Sequence, residues 1–447
     1  MNERYVRQAS IVGWDQARLT KARVVIIGSD VLAGFIGWSL AALGVGHVFI
    51  FDDRMVADGS PCFPLLATAA HQPAAPALAQ TLITLNPHIE AYGLVVRLLY
   101  DAHAHAIPDC DLIIEATNDS QSKAICLAYG RQHQIPVILA ASNQEAGEFI
   151  TAETDYVLTV GSFQLYDDQP QGILPSQVIG GLVAGEVRRC LLPLPDDQPP
   201  AGIIRYQPRC PQRFGTFVPN QAVTDPLEGQ PHVLIIGAGA LGTFAALGLA
   251  LAGRASRLTI VDPDRIESSN LNRQLLFYNS VGRPKATTLA SQLQALCPDL
   301  VVTSHMDTVQ EQHLQQADIA LLCVDNFATR ATVNEWAICR HLPLINGGSG
   351  PFHGEMVVYK PGQTACLGCY LGVNQLAEAE AGRRARCGDV PEPSVVISNQ
   401  IIGGLMAAET ARVEPLSGIL AYEAGQPARI GLRSLRPACA CHQGRRR

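Results

Sequence analysis

Positive charge is in short supply in this chain: 33 Lys and Arg stand against 40 Asp and Glu, a formal net charge of -7 at pH 7. That balance excludes a broad basic field, so nucleic acid is not expected as a partner, and the terminal run Arg445 to Arg447 reads as a solvated tail. An apolar leader is also missing, because the start "MNERYVRQAS" is polar, and no secretory signal is expected. The 13 cysteines are therefore read as thiols of a reducing cytoplasm rather than as a disulfide framework. One uncharged run, "VLIIGAGALGTFAALGLALAG" at 233–253, is long enough by count to span a bilayer. Its five glycines and the polar strand end at Asp262 fit a buried strand, tight loop and buried helix better, and no membrane is expected.

What the chain does have is size and repetition. At 447 residues and 47% apolar it has room for two to three domains, each with a core. "RVVIIGSDVLAG" (23–34) answers "HVLIIGAGALG" (232–242), "DLIIEATND" (111–119) answers "DIALLCVDN" (318–326), and "QVIGGLVAGEV" (177–187) answers "QIIGGLMAAET" (400–410). The offset is about 207 to 211 residues until the last pair, where it becomes 223, so the second copy carries a dozen or more extra residues, among them "CLGC" and Cys387. Each copy alternates apolar strands with helical patterns, which predicts an α/β fold with a mainly parallel sheet. The expected organisation is residues 1–194 and 232–447 as two Rossmann-like units, packed about a pseudo-twofold axis as a dimer of one unit would be, with the proline-rich 195–231 as linker.

In the second unit Gly237, Gly239 and Gly242 follow an apolar strand and open a helix, a loop that lets the backbone approach a phosphate. Asp262, twenty residues beyond Gly242 at the next strand end, is placed to accept from ribose hydroxyls. Those features alone also suit an NAD dehydrogenase. Asn270, Arg273 and Gln274, then Lys285 in "VGRPKA" and Asp325 in "CVDN", narrow the choice: cations and a metal-binding carboxylate beyond the ribose suit a triphosphate with Mg²⁺, not a hydride-transfer site.

This set, with "SSNLNRQ", "GRPKA" and "CVDN", resembles the ThiF/MoeB/HesA superfamily, the adenylation core of ubiquitin-activating enzymes and of sulfur-carrier adenylyltransferases. The resemblance implies ATP and Mg²⁺ as cofactors, with Asp262 on the ribose, Asn270, Arg273, Gln274 and Lys285 on the phosphates, and Asp325 on the metal. It implies attack by a protein's C-terminal carboxylate on the α-phosphate, a nucleophile already ionised at neutral pH that needs no general base. The implied partner is a ubiquitin-like protein ending in glycine, with a conjugating enzyme to accept a thioester. A sulfur carrier, a ribosomal peptide or a non-catalytic scaffold role are the alternatives.

Cys366 and Cys369 form C-x-x-C, and "PACACHQG" adds Cys439, Cys441 and His442, a pattern expected to close a tetrahedral Zn²⁺ site. The fourth ligand is Cys441 or His442, with Cys441 favoured. Cys387 sits in an Arg-rich stretch, "RRARCGDVPEP", read as a loop, where relatives with a catalytic cysteine carry it; nearby arginines would favour its thiolate. Cys297, Cys323 and Cys339 lie on apolar runs and are expected in the core.

The first unit keeps Asp52 at the ribose position but lacks the rest. Asp30 replaces the second loop glycine and is expected to repel phosphate, Ser60, Phe63 and Pro64 replace Asn, Arg and Gln, "HQPAA" replaces "GRPKA", and Asn118 replaces the metal carboxylate. It is not expected to bind ATP usefully. It does retain "RYVRQ" at its start, and in homodimeric relatives such a segment reaches into the partner's site, which implies that Arg7 completes the second unit's site.

Overall fold

The computed structural model describes residues 2–56, 71–152, 169–210, 213–215, 229–382, 392–412, 414–433, 439 and 441, and of 383–387 the backbone. Two sheets account for the strands. The first is β1 (Arg23–Ile27), β2 (His47–Phe51), β3 (Glu90–Leu94), β4 (Leu112–Glu115), β5 (Val137–Ser142), β6 (Gly147–Ala152) and β7 (Ile204–Tyr206). The second is β8 (His232–Ile236), β9 (Arg257–Val261), β10 (Val301–His305), β11 (Ile319–Leu322), β12 (Leu344–Ser349), β13 (His353–Tyr359), β14 (Ile419–Glu423) and β15 (Ile430–Arg433). Their orders, β3-β2-β1-β4-β5-β6-β7 and β10-β9-β8-β11-β12-β13-β14-β15, show one plan used twice. In each, five parallel strands pass into an antiparallel extension at β6 and at β13.

The central strands read as continuous apolar runs because helices cover both faces. "RVVII" and "HVLII" are buried from their second residue onward. The stretch 233–253 resolves into β8, a turn and the helix Ala240–Leu251, as its glycines required. No described helix is long and apolar enough to cross a membrane.

The halves meet through the helices Val31–Leu43, Ile173–Leu191, Ala240–Leu251 and Val396–Glu409, and the contacts repeat about the pseudo-twofold. A Cβ added to Gly181 would lie 2.7 Å from Ile401 Cγ1, and one on the matched Gly404 would lie 3.0 Å from Val178 Cγ2. The matched glutamines Gln177 and Gln400 are fully buried; Gln400 Nε2 donates to the Gln177 carbonyl (3.0 Å) and Gln177 Nε2 to the Phe244 carbonyl (2.9 Å). Two buried ion pairs lock the outer ends: Arg429 reaches back to Glu186 (2.5 Å), and Arg213 reaches forward to Glu409 (2.6 Å). Such pairs fix geometry more than they add stability, since desolvation offsets most of the attraction.

Arg213 and β7 lie inside the stretch read as linker. Here the sequence expectation needs correction: residues 203–210 and 213–215 form the first unit's counterpart of "ILAYEAGQPARIG", and β7 pairs with β6 as β14 pairs with β13. Prolines around a strand of three residues hid it.

Candidate active site

The strand order turns at β8, because the chain runs outward to β10 and then returns to β11 on the other side. Open α/β sheets bind ligands at the carboxyl ends of strands flanking such a reversal. There lies a cavity of about 1070 Å³, lined by Gly237, Gly239, Asp262, Asn270, Arg273, Gln274, Lys285 and Asp325 and, from the first unit, Arg7.

Each loop glycine has its own reason. Gly237 has φ +98°, a conformation costly for other residues. A Cβ at Gly242 would fall 1.9 Å from the Gly237 carbonyl oxygen. A Cβ at Gly239 meets nothing closer than Gln274 Nε2 at 3.9 Å, so what Gly239 leaves clear is space for a ligand rather than for the protein. The helix Ala240–Leu251 starts there without a side-chain cap, and its first amides are open to an anion.

Asp262 accepts from the amides of Ala238 (2.6 Å) and Asp264 (2.8 Å). Burial raises its pKa, only partly opposed by the Lys285 charge and those amides. Asn270 Oδ1 accepts from the Glu267 amide (3.0 Å), which shapes the short turn that presents Arg273 and Gln274. Arg273 is buried and held by the Ser269 carbonyl (2.9 Å) and Asn272 Oδ1 (2.7 Å). Burial, with the Arg7 charge nearby, lowers its pKa to about 10, so it remains a cation. Gln274 Oε1 is buried without a partner among the described residues. Lys285 Nζ pairs with the exposed Asp264 at 2.7 Å.

The first unit's N-terminal segment is threaded into this site. Arg4 donates to the carbonyls of Leu271 (3.0 Å) and Leu85 (2.9 Å), joining the units beside the Asn270 turn. Asn272 Nδ2 donates to Gln8 Oε1 (3.1 Å) and to the Ser394 carbonyl (3.0 Å). Between Arg4 and Gln8, Arg7 lines the cavity and donates to the Glu392 carbonyl (3.3 Å).

At the corresponding place in the first unit the matched groups bond to that unit's own side chains. Asp30, expected only to repel phosphate, caps the helix Val31–Leu43 by accepting from the Val31 amide (2.8 Å), and Gln171 Oε1 accepts from the Leu32 amide (2.8 Å). Arg54 bridges Asp52 (2.7 Å) and Asp30 (3.0 Å). Arg54 occupies the position of Asp264, and Ala74 that of Lys285. Asn118 is engaged with the carbonyls of Ser142 (2.8 Å) and Gln169 (3.1 Å). Ser60, Phe63 and Pro64 lie outside the described residues.

Cys366, Cys369, Cys439 and Cys441 converge, their sulfurs all within 4.8 Å of one another and three pairs at 3.7 Å. A tetrahedron of Zn–S bonds sets sulfurs about 3.8 Å apart, so this donor set fits zinc, which would tie Cys439 and Cys441 to the helix Leu367–Leu371 and its N-cap Cys366. His442 lies outside the described residues. Cys387 is not in a loop: it ends the helix Val373–Cys387, and its side chain is outside the described set. Cys323 is buried as expected and Cys297 partly so, but Cys339 is exposed, on the outer side of the helix Phe327–Arg340.

Sequence reasoning missed Asp264, Arg330 and Glu380. Asp264 is the second acid of "DPD", two residues from Asp262 and so on the same side of the extended chain. Glu380 accepts from the Phe327 amide (2.7 Å), which docks the Cys387-bearing helix two residues beyond Asp325.

The profile of the ThiF family matches residues 4–201 and again 220–423. The chain belongs to the ThiF family, with two of its domains in tandem. It is 36% identical over 204 residues to the sulfur carrier protein ThiS adenylyltransferase of Escherichia coli, covering 43% of this chain and 77% of that one. It is 36% identical over 146 residues to the SUMO-activating enzyme subunit uba-2 of Caenorhabditis elegans, covering 31% of this chain and 25% of that one. With the NEDD8-activating enzyme E1 catalytic subunit of Arabidopsis thaliana it shares 32% over 173 residues, 35% of this chain and 38% of that one. The relatives thus include both an adenylyltransferase for a sulfur carrier and activating enzymes for ubiquitin-like modifiers.

Proposed function

We propose that the second unit adenylates the C-terminal carboxylate of a ubiquitin-like protein, and that Cys387 then takes the acyl group as a thioester for delivery to a conjugating enzyme. The reading is carried by one observation: a single cavity joins an uncapped glycine-loop helix, Asp262, the cations Arg7, Arg273 and Lys285, and the exposed Asp325. Adenine and ribose would lie toward Val309 and Asp262, with the phosphates over Gly239. Lys285 would exchange Asp264 for phosphate oxygens, and Mg²⁺ bound with ATP would be held by Asp325. A carboxylate oxygen of the substrate then attacks the α-phosphorus, the bond from that phosphorus to the bridging oxygen breaks, and pyrophosphate leaves. Arg7 and Arg273 stabilise the charge that develops on the phosphoryl oxygens. In the second step the Cys387 thiolate attacks the acyl carbon and AMP leaves. The docking of its helix by Glu380 beside Asp325 supports that role.

A second reading ends at the adenylate, which passes directly to sulfur or to an amine. It is favoured by the match over 77% of the ThiS adenylyltransferase. ATP–pyrophosphate exchange with small β-grasp proteins ending in exposed glycine, followed by non-reducing gels of parent and Cys387→Ala, separates the two. Exchange with a thiol-sensitive adduct lost in the variant supports the thioester route; exchange without an adduct supports the second reading. Absence of exchange with every such protein would contradict both.

A further inference from the structure

Asp325 is exposed and, among the described residues, no group hydrogen-bonds its carboxylate, so the protein places it through the backbone that carries it. That backbone is gripped by a buried cation. Arg330, 6% exposed, donates Nη2 to the Val324 carbonyl (2.7 Å) and Nη1 to Asn346 Oδ1 on β12 (3.1 Å), with its guanidinium 5.5 Å from the centre of the Phe327 ring. The first unit repeats the device with different chemistry. Lys123, fully buried at the position of Arg330, donates to the Thr117 carbonyl, which matches that of Val324, and to the Ala140 carbonyl (2.9 Å), and pairs with Glu115. The first unit has lost Lys285 and Asp325 to Ala74 and Asn118, yet it keeps this cation. A group retained after the phosphate machinery is gone is there to hold the strand-end peptide. Burying a cation for that purpose is expensive unless its hydrogen bonds are made.

We propose that Arg330 is a positioning residue for the metal-binding carboxylate: it pins the Val324–Asp325 peptide to β12 so that Asp325 is presented to the cavity at a fixed distance from the phosphates. The inference rests on reading the second unit as an ATP and Mg²⁺ site.

The test is ATP affinity of the full chain by calorimetry, with and without Mg²⁺, for the parent, Arg330→Met and Arg330→Lys, alongside thermal melting. Arg330→Met is expected to raise the Mg²⁺ concentration needed for half of the affinity gain at least about tenfold, while ATP binding without Mg²⁺ stays within about twofold. Arg330→Lys is expected to restore most of the Mg²⁺ response, because a lysine holds the matching carbonyl in the first unit. A parental Mg²⁺ response in Arg330→Met would overturn the proposal, as would equal losses with and without the metal. Should that variant not fold, Asn346→Leu removes the β12 anchor while leaving the arginine, and the same pair of outcomes decides. Failure of the parent itself to bind ATP would overturn the site reading, and the proposal with it.

Discussion

Asp52 and Asp262 end matched strands, and their surroundings have diverged in opposite directions. Burial pushes both carboxyls up. At Asp262 it prevails over the more distant Lys285, and the pKa is raised. At Asp52 the hydrogen bonds and charge of Arg54, with Ser29, overcome it, and the pKa is lowered. The second unit's cavity stays open, with an uncapped helix and a desolvated acid. In the first unit the matched groups are met by the chain itself, through Arg54, Asp30 and Gln171. A preorganised site carries unmet polar groups that its ligand completes, and once that ligand is no longer bound, side chains that meet those groups are favoured.

The sharpest way to break this contrast is to substitute matched positions. Lys285→Ala or Asp325→Ala is expected to lower pyrophosphate exchange by about a hundredfold to a thousandfold, whereas Asn118→Ala in the first unit should leave it within about twofold. An equal loss from Asn118→Ala would mean that the first unit is catalytic after all. Next in size is the contribution across the units: Arg7→Ala should cost about tenfold to a hundredfold in exchange with little change in melting temperature, and unchanged exchange would remove Arg7 from the site. Zinc analysis of the purified chain should find about one ion, and Cys439→Ser should lose it with a fall of several degrees in melting temperature. A metal-free parent of equal stability would refute the staple.

The smallest effect sharpens the comparison from the first unit's side. Arg54→Met should leave exchange unchanged and destabilise the chain by about 1 kcal/mol, since Arg54 is half-exposed and its pairing is screened. Because the folded pKa of Asp52 is lowered, its contribution is present above the unfolded value of about 4 and is lost as pH falls through the folded value. Acid unfolding curves should therefore show the parent losing this increment below about pH 4, where the variant has none to lose. A constant difference between parent and variant across that range would contradict the Asp52–Arg54 account.

Much of this was legible in the sequence. The repeat, the glycine loop, the strand-end acid and the "SNLNRQ" cluster are local patterns, and the fold brought Asp262, Arg273, Lys285 and Asp325 to one cavity. The cysteine cluster was readable because metal ligation leaves a spacing signature. The pairing of Arg54 was not, because it reads as a surface arginine until its side chain is seen turned back on Asp52 and Asp30. Prolines obscure β7 in the sequence, and the Arg-rich surroundings of Cys387 show polarity, which reads as a loop, without revealing the helix that Val373 begins. Arg330 left a trace: "SQSKA" and "FATRA" hold a cation at the same place in both units, a correspondence that only the carbonyls of Thr117 and Val324 explain.

The asymmetry between the units is tested most directly by counting nucleotides. Calorimetry of the full chain with ATP and Mg²⁺ should give one site per chain, absent in Lys285→Ala and intact in Arg54→Met. Two sites per chain, or a single site that survives Lys285→Ala, would place nucleotide binding in the first unit and contradict the division of labour between the halves.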